Sequence, residues 1–242
     1  MRTDVRKEAP SLVFGRNPVK EALRANRVNK IYITSNFSDK EINILLQEKK
    51  PAIRVLTLGE LDNFAHGVHQ GIAAEVKPYE YLDFDEILRR SRKQTLPVIV
   101  LLDGIEDPHN LGAILRSCDV FNVTGVLLPK HNQVPLNATV AKSSAGAINF
   151  VPVAQIGSIQ QAIQKLKDNG FWVVSTDGSA TIDYSKLTYD FPVALVIGSE
   201  GKGVSRLVRE NSDYVVKIPQ YGHVNSLNAS VAAGILLARI RS

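Results

Sequence analysis

One cysteine in 242 residues leaves no internal disulfide to staple the fold, which suits a reducing compartment, the cytoplasm. The lone thiol, Cys118, sits between Leu115 and Phe121, so it is expected to be a small core residue and not a nucleophile. No apolar run approaches the roughly eighteen residues of a membrane span. The first residues, MRTDVRKEAPS, lack the apolar core of a secretory signal. Five histidines show no ligand spacing with one another or with the cysteine, so no metal is expected. Internal repeats and low-complexity segments are absent. What remains is a chain with 44% apolar residues, enough for one large core or a main domain with a smaller companion.

Charge is unevenly placed. Lys and Arg number 29 against 24 Asp and Glu, and the whole excess lies in the first thirty residues, eight basic against three acidic. Localised basicity points to a polyanion, although a solvated helix face would look the same. Residues 1–10 read as a flexible basic arm. Beyond it, Pro18 suits a helix start, with Val19, Ala22 and Leu23 as an apolar stripe. Arg16, Lys20, Arg24 and Arg27 follow at spacings of four, four and three, which would put four cations on one face.

Strands over 30–34, 53–57 and 72–76 alternate with helices over 39–50 and 59–65, making a small α/β unit over 11–77. Residues 78–95 read as a linker with a short helix at 85–92 and a cluster of Arg89, Arg90, Arg92 and Lys93. From Leu96 the alternation is regular. Strand-like runs occur at 97–102, 125–128, 150–153, 171–175, 193–197 and 214–218, with helices over 111–121, 137–147, 159–169, 205–211 and 227–240. Continuous apolar runs rich in Val and Ile are expected of parallel strands covered on both faces. The second domain, 96–242, is therefore read as an open parallel sheet, whose ligands sit beyond the carboxyl ends of its strands.

Three polar loops fall at such ends. Asp103 to Gly112 contains Asp107-Pro108, a cap and first turn, then Asn110; Arg116 follows among Ile114, Leu115 and Cys118, either snorkelling or reaching a pocket. Ile197-Gly198-Ser199-Glu200-Gly201-Lys202-Gly203 has glycines that permit close backbone approach, but it matches neither a P-loop nor G-x-G-x-x-G. Ile218-Pro219 through Gly222 to Ser226-Leu227-Asn228 leads into the last helix, with Ser226 or Asn225 as its cap.

Order, spacing and placement of these segments resemble the three motifs of SpoU-type (TrmH-like) RNA 2′-O-methyltransferases of the SPOUT superfamily, in particular the branch that modifies guanosine in 23S ribosomal RNA. Phe14-Gly15-Arg16-Asn17-Pro18 and Gln70-Gly71 are similar to that branch's small L30e-like substrate-binding domain. Gln220 departs from the pattern, where members often carry Met. The resemblance implies S-adenosylmethionine bound at Gly198, Ile218 and Leu227, a trefoil knot in the C-terminal domain, and a homodimer. Ala229, Ala232, Ala233 and Gly234 would allow close helix approach, to a second subunit or to the chain's own sheet. It further implies catalytic roles for Asn110, Arg116, Glu200, Ser226 and Asn228. A guanidinium stays protonated, so Arg116 is expected to steady the developing alkoxide and grip a phosphate, with Glu200 orienting Arg116 and Asn110. Ser226 and Asn228 would hold the ribose and the loop. Arg16, Lys20, Arg24 and Arg27 would bind large-subunit ribosomal RNA.

Transfer RNA is the alternative substrate. A non-catalytic RNA-binding protein would explain the basic N-terminus but not Asn110, Arg116, Glu200 and Asn228 together. A nucleotide-dependent oxidoreductase suits the α/β alternation and lacks the glycine fingerprint.

Overall fold

The computed structural model describes residues 11–201, 203–223 and 226–242. The basic arm 1–10, Lys202, Val224 and Asn225 lie outside the described residues. Two units separate by contact: the chain up to Glu80 together with Leu136–Asn149, and Tyr81–Pro135 together with Phe150–Ser242.

The first unit runs β1 (Ser11–Phe14), α1 (Arg16–Arg24), β2 (Val28–Thr34), α2 (Lys40–Lys49), β3 (Ala52–Leu56), α3 (Leu58–Phe64) and β4 (Ile72–Val76). Its sheet has the order β1-β4-β2-β3, with β2 and β3 parallel and the other pairs antiparallel. Val19, Ala22 and Leu23 of α1 are buried, as their spacing requires. Asp39 caps α2 by accepting the Ile42 N–H, and Thr57 with Glu60 forms a capping box on α3. Strand β1 was not expected from the sequence; four residues at a sheet edge carry too little pattern to be seen.

The second unit begins with α4 (Phe84–Ser91), inside the stretch expected as a linker. Its Ile87 and Leu88 are buried in the unit's core. Then come β5 (Val98–Asp103), α5 (Pro108–Val120) and β6 (Gly125–Pro129). Next, α6 (Ala138–Ser143) belongs by contact to the first unit, although the sequence assigns it to the second domain. Gly146 shows why: its φ is +95°, and a Cβ there would stand 2.2 Å from the Glu21 side chain. Arg27 also donates to Asn149 Oδ1 at 2.6 Å.

The second unit continues with β7 (Val153–Ile156), α7 (Ile159–Asp168), β8 (Trp172–Thr176), β9 (Ile182–Asp183), β10 (Val193–Gly198), α8 (Arg206–Glu210), β11 (Tyr214–Lys217) and α9 (Ala229–Ile240). Every pairing in this seven-stranded sheet is parallel, in the order β7-β6-β5-β10-β8-β11-β9. All six residues of β10 are buried, as a central parallel strand requires. Strand β7 lies three residues beyond the expected 150–153. Pro152 has no N–H to give a ladder, and Phe150 is exposed, so pairing starts after both. Cys118 is fully buried, and burial pushes its thiol pKa up, which fits a core residue and no nucleophile.

Because β5, β10, β8 and β11 are successive neighbours and all parallel, their carboxyl ends fall on one rim. The loops that follow them meet there.

Candidate active site

The loop after β10 is built on close backbone approach. A Cβ on Gly198 would lie 2.1 Å from the carbonyl carbon of Gly203, so only glycine fits. The Gly203 N–H donates to the Ser199 carbonyl at 2.9 Å and closes the turn, with Gly201 and Gly203 at positive φ. Beside it lies a cavity of about 280 Å³, lined by Gly198, Ile218, Leu227 and Ser226 among others. The three residues expected to bind a cofactor are thus brought together. Thr176, Asp177 and Gly178, after β8, line the same cavity and were not singled out from the sequence. The signal was an Asp-Gly pair directly after a buried strand. Both the Ser179 hydroxyl and its N–H donate to Asp177 Oδ1, and Arg209 pairs with Oδ2, which together hold this carboxyl below its usual range.

Polar side chains from three loops converge at the rim. Asn110 Nδ2 donates to Glu200 Oε1 at 3.0 Å. Asn228 Nδ2 donates to Asn110 Oδ1 at 2.9 Å and also to Glu200 Oε1. Meanwhile Asn228 Oδ1 accepts the N–H groups of Ser230 and Val231, so Asn228, not Ser226, caps α9. Ser226 is exposed at the wall of the glycine-lined cavity. The helix therefore starts two residues later than expected, because one amide both caps and bridges.

Arg116 stands apart from this cluster. It is exposed on α5, has no hydrogen-bond or ion-pair partner among the described residues, and lies about 240° round the helix from Asn110. Glu200 holds two amides instead of orienting Arg116.

The basic face of the first unit is also engaged. Arg16 pairs with Asp39 at 3.4 Å, Lys20 with Glu41 at 2.6 Å, and Arg24 with both Glu21 and Glu41. Arg27 falls beyond the end of α1, donates to Asn149 and the Lys77 carbonyl, and stacks 3.6 Å over the Tyr79 ring. Among the described residues no group of three or more His, Cys, Asp or Glu could hold a metal. No described helix is long and apolar enough to cross a membrane.

With three strand-end loops joined around a glycine-walled cavity, comparison with known proteins decides the family. Residues 97–238 match the model of the SpoU rRNA Methylase family, and residues 12–82 match that of RNA 2′-O ribose methyltransferase substrate binding. The chain belongs to the SpoU methylase family. A protein of Staphylococcus haemolyticus assigned to the TrmH family of tRNA/rRNA methyltransferases is 45% identical over 234 residues, 95% of this chain and 94% of that one. A Staphylococcus aureus relative of the same description is 45% identical over 235 residues, covering 95% of each. Among solved structures, the SpoU methyltransferase AviRb of Streptomyces viridochromogenes, in complex with AdoMet, superposes with a TM-score of 0.81 at 24% identity, over 95% of this chain and 88% of that one. The fold expected from the sequence, a small N-terminal α/β domain and a C-terminal parallel sheet, is that of the SpoU methyltransferases. This protein is accordingly an RNA methyltransferase.

Proposed function

We propose that this SpoU methylase transfers a methyl group from S-adenosylmethionine to a ribose 2′-OH of large-subunit ribosomal RNA, at a guanosine. The observation that carries this reading is the Asn110–Glu200–Asn228 cluster set beside the glycine-walled cavity. The cavity fits the cofactor: the bare backbone at Gly201 and Gly203, with open space on the Cβ side of each, admits an adenosine close to the main chain, and Ile218 and Leu227 supply apolar walls. When bound there, the cofactor supplies an electrophilic methyl group.

The chain's own residues do the rest. A 2′-OH is a poor nucleophile near neutrality, so alignment and help in losing its proton are needed. Glu200 Oε1 is committed to two amide donors, which fixes the amides and leaves Oε2 to face the ribose. Asn228 locks the third loop to the first while its own carbonyl pins the start of α9. Ser226 at the cavity wall holds the ribose edge.

Arg116 works from a different surface. Its neighbour one turn on, Val120, is 70% exposed, and α9, packed against α5, exposes Val231. A second copy covering this flank would make a homodimer and place Arg116 at the partner subunit's cluster, there to steady the alkoxide and grip a phosphate. Ala229 and Ala233 are buried in their own unit, and Gly234 faces Ser117 of α5, so the small residues serve that helix pair. The trefoil knot is part of the same proposal. Arg16, Lys20, Arg24 and Arg27 would meet RNA by exchanging their present partners for phosphates, a smaller gain than a free cation offers.

The test uses labelled S-adenosylmethionine with unmodified ribosomal and transfer RNA, and maps the labelled nucleotide. Label at one ribose of 23S RNA is expected. Transfer RNA as the better substrate would overturn the ribosomal assignment, and the relatives' description as tRNA/rRNA methyltransferases makes it the arm to include.

A further inference from the structure

A second cavity, about 710 Å³, adjoins the first: Ser199 and Gly203 line both, and Asn110 and Glu200 stand in its wall. Its other walls include Asp103, Glu106 and Asp107, and no Lys or Arg is among its described lining. Asp103 Oδ2 is taken by the Ser205 N–H at 2.8 Å, and Asp107 Oδ1 by the His109 N–H at 2.9 Å. Glu106 is exposed and has no hydrogen-bond or ion-pair partner among the described residues. The segment that follows β6 carries Lys130 and His131 directly before Asn132, which lines the cavity. Both side chains are exposed and unpaired among the described residues.

The charges are sorted by position. A wall with four carboxylates repels phosphate, whereas a free cation two residues from a lining residue attracts it. We infer that this cavity seats the nucleotide to be methylated, with its base inside and read by Glu106, and an adjoining phosphate held at the rim by Lys130. The inference rests on the RNA methyltransferase reading above and names the part of the same site that takes the substrate. The volume is in the range of pockets that enclose a small ligand, and a base must leave its stack to enter. An ionised carboxylate only accepts hydrogen bonds, so it selects a base edge made of donors. Guanine presents N1–H and its N2 amine side by side. Adenine, cytosine and uracil each set an acceptor beside the donor on that edge. Seated this way, the base and its ribose share a wall with Asn110 and Glu200, on the side from which the 2′-OH must approach the cofactor cavity.

The experiment uses the full chain, labelled S-adenosylmethionine and 23S transcripts carrying the mapped guanosine or an adenosine in its place. Parent, Glu106→Gln and Lys130→Gln are compared across a salt series, with cofactor affinity measured by calorimetry. Glu106→Gln should lower kcat/KM on the guanosine transcript by about tenfold or more and narrow the preference over adenosine. Lys130→Gln should raise KM and flatten its logarithmic salt slope by about 1. Cofactor affinity should be parental in both, since neither residue lines that cavity. A parental base preference in Glu106→Gln, or a parental slope in Lys130→Gln, overturns the assignment while methyl transfer by the parent stands. A parent that binds the cofactor but methylates no RNA would sink the methyltransferase reading and this inference with it.

Discussion

The cations of α1 and two cations of the second unit, Arg116 and Lys130, behave differently, although others of that unit, such as Lys167 and Arg209, are ion-paired. Arg16, Lys20 and Arg24 look like a phosphate-binding face in the sequence, yet Asp39, Glu21 and Glu41 neutralise them. Arg116, expected to be catalytic, and Lys130, not singled out in the sequence, both stand exposed and unpaired among the described residues. Charge counted along the chain is therefore not charge available to RNA. What matters is whether the fold brings a carboxylate opposite, and here α2 does so for α1 while no described residue does so for Arg116 of α5.

The largest expected effect tests the cavity that this comparison takes as fixed. Gly198→Ala pushes a methyl group into the Gly203 backbone, so cofactor binding should fall below detection by calorimetry. Parental affinity would show that the cofactor lies elsewhere. Asn228→Ala removes two of the three hydrogen bonds of the polar cluster and the cap of α9. It should cut methyl transfer by about a hundredfold or more and lower stability by about 1–2 kcal/mol, read by thermal unfolding.

Arg116→Ala should lose about a hundredfold in turnover as well, but with unchanged melting, since no described residue depends on it. Mixing it with Asn228→Ala sharpens the point. If Arg116 serves the partner subunit, mixed dimers regain one working site and activity returns. No recovery would place Arg116 at its own cluster or outside catalysis.

The smallest effects belong to α1. Lys20→Glu with Arg24→Glu should flatten the salt slope of RNA binding by less than Lys130→Gln does per charge, because the parent pairs are already screened. A larger flattening would show that α1 releases its carboxylates to hold RNA. The Glu41 carboxyl is held below its ordinary range, first by the hydrogen bond from Lys20. A depressed folded-state pKa contributes stability above the unfolded value, lost as pH falls through the folded one. Glu41→Gln should therefore melt slightly below the parent at neutral pH and match it in strong acid. An equal gap at both pH values would mean that the loss is not electrostatic.

Much of the site was legible because strand-end loops in a parallel sheet must converge, and Gly198, Ile218, Leu227, Asn110, Glu200 and Asn228 all sit in them. Of the pairing within the cluster, only Glu200 with Asn110 was expected. Spacing puts Asn110 and Arg116 on one helix about 120° apart, but only the packed helix shows that Asn110 is the one turned toward Glu200. The capping role passed from Ser226 to Asn228 because an amide can accept from the helix and donate to Glu200 at once, which a periodicity argument cannot rank. The grouping of 136–149 with the first unit turned on Gly146 fitting against Glu21, a contact 125 positions away in the chain.

The central claim is methyl transfer to a ribose hydroxyl, and alkali tests it directly. A 2′-O-methylated nucleotide cannot assist cleavage of its own 3′ phosphodiester, because the attacking hydroxyl is blocked. After incubation of the full chain with labelled S-adenosylmethionine and unmodified 23S RNA, alkaline hydrolysis should leave the label in a dinucleotide. Label recovered in mononucleotides would place the methyl group on a base and contradict the account.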